Sequence, residues 1–255
     1  MADGHPAVWA LLVGAVVGIA MTVDDAPTLV VLVASLVVTG FLVRGPRVAA
    51  FVHAALLAFA GALVWVAWTL LVPSSAAGSA ALAQLPTHTP GAGVRLGGAL
   101  TVAGLESGVV SALALACALL AVGVAGQVVS ARGWLSLART LLGPLAPAVG
   151  WIACGGEASA EVAWLRRQRR GQRGTAALTA WLVACRDIAR SLPGVTPRVL
   201  LAWRASDLAH LVPAVALLAA WLTVPRLGHL PLVVAALLLP VGALVAGTGR
   251  RAAHA

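Results

Sequence analysis

Apolar residues run unbroken along most of this chain, and polar residues appear as short punctuation between the runs. The first run is 7–23 (AVWALLVGAVVGIAMTV), the second 28–43 (TLVVLVASLVVTGFLV), and the third 48–72. Asp24-Asp25-Ala26-Pro27 and Arg44-Gly45-Pro46-Arg47 separate them as tight turns. A fourth run covers 107–130, and the fifth and sixth cover 209–224 and 230–248 on either side of Pro225-Arg226-Leu227-Gly228-His229. Runs of this kind bracket the roughly 20 helical residues that cross about 30 Å of hydrocarbon. They lack the two-residue alternation of an outer-membrane barrel. The pattern predicts an all-α, polytopic helical membrane protein with about six transmembrane helices. Trp65 and Trp68 lie near the far end of the third run, where interfacial aromatics are expected. The fourth run is rich in glycine, alanine and serine, which let helix backbones approach closely, so it is expected at the centre of the bundle.

Two regions break the pattern. Residues 73–95 (PSSAAGSAALAQLPTHTPGAGVR) show no clear period and are expected to form a loop, with 96–106 as a short interfacial approach. Residues 131–206 hold eleven of the seventeen arginines. Their first part is amphipathic: Trp134, Leu137, Ala138, Leu141 and Leu142 share one helical face, and Arg132, Ser136, Arg139 and Thr140 take the other. Gly143-Pro144 ends that helix. The run 175–185 is too short to span. The chain thus divides into a four-span bundle over 1–130, basic helices over 131–208, and a two-span hairpin with its tail over 209–255.

Composition sharpens this. Of 255 residues, 61% are hydrophobic and 10% charged, against about 45–50% and about 25% in soluble domains. The net charge is +9, and every basic side chain counted in it is arginine. Five arginines fall within Leu165–Gly174. Placing one arginine at a bilayer centre costs roughly 2.5–3.5 kcal/mol even on an insertion scale, so this stretch lies in water, on headgroups or against a protein. With 131–206 inside, alternation of six spans puts fifteen of the seventeen arginines on the cytoplasmic side. Both termini are then cytoplasmic, in the cell's inner or plasma membrane. The basic excess is a collar on the bilayer and not a nucleic-acid surface. No basic residue precedes the first run in Ala2-Asp3-Gly4-His5, so no cleavable signal peptide is expected.

Candidate chemistry is sparse. Glu157 and Glu161 are four residues apart just ahead of the arginines, where charge compensation is the simpler account. The histidines are scattered, with His53 near the cytoplasmic end of the third span and His210 opening the fifth. The cysteines Cys117, Cys154 and Cys185 have no metal spacing. There is no GxxxxGK[ST] sequence, so any ATP is handled by another chain. No catalytic set and no cofactor site emerge. The spans hold no buried acid, since Glu106 and Asp24-Asp25 sit at their ends, which weakens an ion-driven transporter.

Two stretches carry a resemblance. Leu100-Thr101-Val102-Ala103-Gly104-Leu105-Glu106-Ser107-Gly108 resembles the LTxxGLxxG opening of a long span, and Trp134–Leu145 resembles an amphipathic segment ending in LLxPL. Both belong to the transmembrane T component of energy-coupling factor transporters, the EcfT/CbiQ family. Leu200–Leu208 is similar to that family's lead into its last spans. The resemblance implies a coupling subunit without enzymatic activity. Its cytoplasmic helices would dock on two ATP-binding-cassette ATPase subunits, and its spans on a small membrane substrate-binding subunit, for uptake of a vitamin or a transition metal. The family docks through Arg-Gly motifs. Here the first corresponds to Arg170-Gly171 or Arg173-Gly174, and the second falls near Arg190, ahead of Pro193-Gly194. The alternative is a stand-alone permease or channel-like protein whose arginines are topology anchors.

Overall fold

The computed structural model describes residues 5–43, 47–72, 81–91, 94–130, 133, 134, 136, 137, 183, 203 and 205–252. These form six long helices and one β-hairpin: α1 (Pro6–Thr22), α2 (Ala26–Leu42), α3 (Val48–Leu71), β1 (Ala81–Gly91), β2 (Val94–Thr101), α4 (Val102–Val128), α5 (Ala205–Leu227) and α6 (Leu230–Ala252). Three of them, α3, α4 and the Asp207–Leu227 part of α5, are long and apolar enough to cross a membrane. The others are shorter apolar helices.

Local chemistry sets the boundaries. Pro6 occupies the first turn of α1, where a missing N–H is harmless. Asp25 caps α2: its Oδ2 accepts from the Thr28 amide at 2.9 Å and from the Thr28 hydroxyl. Thr101 caps α4, its hydroxyl accepting from the Gly104 amide at 3.1 Å. That cap starts α4 at Val102, five residues ahead of the apolar run. Gly228, at φ 69, turns the chain from α5 into α6 in a conformation most residues avoid. Two hydrogen bonds hold the Thr28 side of the Asp25 carboxylate, and they keep its pKa below the ordinary carboxylate range. A group depressed in this way stabilises the fold above its unfolded pKa, and the contribution fades as pH falls through the lowered value. Asp25→Ala is therefore expected to cost about 1 kcal/mol near neutrality. The gap from the parent chain should close in acid, which thermal unfolding in detergent across a pH series would show.

The hairpin corrects the all-α expectation, the described part, from Ala81 on, of the loop expected over 73–95, and the start of the interfacial approach expected over 96–106. β1 and β2 pair antiparallel from Ala81↔Thr101 to Gly91↔Val94, with three register shifts on the way. Pro86 and Pro90 lie in β1, whose outer edge has no partner strand among the described residues, and a sheet edge is where proline is tolerated. Gly97 adopts φ 82, and a β-carbon there would strike the Pro86 carbonyl, so the strands close only around a glycine.

Five helices close a ring. α1 packs on α4, α4 on α2, α2 on α6, α6 on α5, and α5 back on α1. Leu12, Val16 and Ile19 of α1, Leu29, Leu32 and Leu36 of α2, Leu120 and Val124 of α4, Leu217 of α5 and Leu232 of α6 fill the core. α4 also carries α3, so the fourth run is central, as its small residues predict. Gly61 meets Leu115, Gly108 meets Thr69 and Gly123 meets Ala54 along the α3–α4 seam. α3 fully buries only Phe51 and Ala58, and its exposed residues, Trp65 and Trp68 among them, face away from the chain.

The ring has two ends. Trp221 Nε1 donates to Thr22 Oγ1 at 2.8 Å, which joins the last turns of α1 and α5 at the hairpin end. The opposite end gathers the start of α1, the last turns of α2, α4 and α6, and the start of α5.

Candidate functional site

At the end opposite the hairpin, buried polar side chains collect in an otherwise apolar molecule. His5, Thr39, Gln127, Ser130, Ser136, Asp207 and His210 are all buried there. They arise where α4 leaves the bundle and α5 re-enters it, so they frame the neck of the arginine-rich segment.

The exit from α4 is fixed twice. Gln127, fully buried in its last turn, donates from Nε2 to the Gly40 carbonyl at 2.9 Å and to the Val43 carbonyl. These are among the carbonyls that the end of α2 leaves without helical partners. Its own Oε1 has no partner among the described residues. Ser130 then starts a second helical turn: its hydroxyl accepts from the Gly133 amide at 3.2 Å, and its carbonyl from the Trp134 amide at 3.0 Å. Ser136 Oγ donates back to the Gly133 carbonyl at 2.9 Å. Gly133, Trp134, Ser136 and Leu137 are helical as expected, but Ser136, expected on the polar face, is buried, and Trp134 and Leu137 are only partly so.

The return into α5 is held by α1. The His5 amide donates to Asp207 Oδ1 at 3.0 Å across 202 residues of sequence. The His5 ring stacks on Trp203, with centroids 4.1 Å apart and planes 18° from parallel. One turn further into α1, Trp9 meets the His210 ring at 4.8 Å and 46°. Residues 5 and 9, at the cap and in the first turn of α1, thus interlock with Trp203 just ahead of α5 and with 207 and 210 in its first turns. Asp207 is 3% exposed. Its carboxylate lies in the first turn of α5 and accepts the amide of the residue that caps α1, so it joins two helix amino ends.

Arg170, Gly171, Arg173, Gly174 and Arg190, the expected docking residues, lie outside the described residues, as do Glu157 and Glu161. His53 is in the second turn of α3 and points away from the chain, close to Arg47 in sequence. Glu106 is exposed near the start of α4. Asp207 corrects the expectation of spans without a buried acid: α5 begins at Ala205 and draws Asp207 into its first turn, ahead of the apolar run from 209. Gln127, Trp9 and His5 also escaped the sequence. Gln127 could have been found as the one amide in the apolar run 107–130. His5 and Asp207 carry no such signal, because each is explained by the other.

No family model matches the chain, and no curated protein or solved structure matches it either.

Proposed function

We propose that this chain is the transmembrane coupling subunit of an energy-coupling factor importer, working with ATP-binding-cassette ATPases and a small substrate-binding membrane subunit. The course of α4 carries the proposal. The Leu100–Gly108 stretch that resembles the family sits at the joint of β2 and α4. From there α4 runs 27 residues, about 40 Å at 1.5 Å per residue, through the middle of the bundle to the neck of the arginine-rich segment. A helix so placed can pass a displacement of that segment into every helix it touches.

In this reading all six helices cross the bilayer, and the neck end, with both termini, faces the cytoplasm. Fifteen of seventeen arginines then lie on that side. The arginines of 166–173 and Arg190 offer planar, permanently charged forks to carboxylates or helix carboxyl ends on the ATPases. ATP hydrolysis occurs on those partners, and the cargo is a vitamin or a transition metal.

Co-purification tests this. The wild-type chain is expected to retain an ATPase pair in detergent, and Arg170→Ala with Arg173→Ala is expected to lose it. Retention by the double variant, with uptake intact, would sink the proposal. A stand-alone permease is the alternative, and the burial of His5, Asp207 and His210 together at the neck end of the bundle favours it. Uptake by the chain alone in liposomes would select it.

A further inference from the structure

Both ends of the arginine-rich segment meet the same few residues at the start of α1. On the way out of α4, Gly133 lies against Pro6: a β-carbon on Gly133 would be 3.8 Å from the Pro6 β-carbon. On the way back, Trp203 stacks on His5, and Asp207 accepts the His5 amide. Between these two contacts the chain covers about seventy residues and nine of its seventeen arginines, Arg139 through Arg198. His5 and Pro6 are adjacent, so the neck of that segment closes on a single dipeptide.

We infer that residues 5–9 are a clamp that holds the two ends of the arginine-rich segment together and sets the angle at which it meets the bundle. The contacts suit this work. Pro6 is rigid and presents no N–H. His5 is fixed on both faces of its function, by a carboxylate on its amide and by an aromatic plane on its ring. Trp9 and His210 extend the grip one turn deeper, where Trp9 is buried. A neck held at one point turns a push on the segment into rotation of α4 and α5 together. An open neck would let the segment move by itself. The clamp stands on the geometry alone, and its meaning for transport rests on the coupling function proposed above. Under that function residues 5–9 are positioning residues, since they touch neither ATPase nor cargo.

The test measures the neck in the whole chain, reconstituted in lipid nanodiscs, with its three native cysteines replaced. Spin labels at Leu137→Cys and Leu208→Cys report the distance across the neck. The parent chain is expected to give one narrow distribution. His5→Ala with Asp207→Ala is expected to broaden it roughly twofold, as for an element released from a packed contact. Asp207→Asn, which keeps volume and one acceptor oxygen, is expected to restore most of the narrow form. If the double variant does not purify as one species, Trp203→Ala, which removes the stack on His5, takes its place, and broadening there supports the clamp. A distribution unchanged in the double variant, or in Trp203→Ala where it takes its place, overturns the clamp. In the ATPase co-purification, the clamp variants should still retain the ATPase pair, because Arg170 and Arg173 are untouched, and its loss would place residues 5–9 in the docking surface and overturn the clamp. A wild-type chain that captures no ATPase removes the coupling function and leaves the neck measurement standing.

Discussion

Gly123→Val is expected to prise α3 away from α4 and to be among the most damaging single substitutions on the α3–α4 seam. A β-carbon on Gly123 lands on the Ala54 β-carbon, and it would also be 3.5 Å from the Phe51 α-carbon. The Phe51 backbone cannot rotate out of the way as a side-chain tip can. Phe51 is in turn held from the other side, since its ring fills the space over Gly40 of α2. The added methyls therefore press on a contact backed by a second helix. Overpacking of this kind costs about 1–3 kcal/mol, and the overlap with the Ala54 β-carbon, which has no rotamer to change, puts Gly123 toward the upper end. Gly14→Val is the control, because nothing lies within 4 Å of a β-carbon there. Thermal unfolding of the two purified variants in detergent decides the matter, and equal transition temperatures would show that the α3–α4 seam yields freely. A disulfide between Gly61→Cys and Leu115→Cys, which face each other on the same seam, should also form less completely in the Gly123→Val background.

Gln127→Leu should follow closely. Leucine keeps most of the volume and removes the unpartnered Oε1, a small gain. It also strips the Gly40 and Val43 carbonyls of their donor at a fully buried site. Leaving a buried acceptor unpaired costs about 1–3 kcal/mol, and here there are two. Gln127→Glu is expected to be worse at neutral pH, because a carboxylate would point at carbonyls on the negative end of α2. The order of unfolding temperatures, parent above leucine above glutamate, is the expected result. A leucine variant as stable as the parent would mean that these carbonyls find other donors.

The helices could be read from the sequence because each is a continuous apolar run, and hydrophobicity over twenty residues is a signal that no neighbour needs to confirm. The centrality of α4 was also legible, since Gly108 and Gly123 are the very positions where α3 comes close. The hairpin was hidden. Its strands mix four leucines with alanine, glycine, proline and threonine, and three register shifts interrupt the pairing, so no clean alternation survives. What holds the hairpin is the close approach at Gly97, which only the fold reveals. The neck was hidden for another reason. A histidine before the first span and an aspartate before the fifth look like ordinary polar flanks. Their meaning lies in a hydrogen bond across 202 residues, and no local window contains it.

The closed ring has a consequence for the order in which the protein is made. α1 and α2 follow one another in the chain, yet each packs mainly on α4, and on α5 or α6. α3 leans almost wholly on α4. At roughly 5–20 residues per second of synthesis, α2 waits on the order of ten seconds before α4 is complete, and α1 waits longer still for the contacts of His5 and Trp9. Through that interval the nascent helices have little beyond the contact of Phe51 in α3 with Gly40 and Phe41 in α2 to receive them. Whatever holds them in the bilayer until α4 arrives, lipid or an insertase, acts as a stand-in for the centre of the finished bundle.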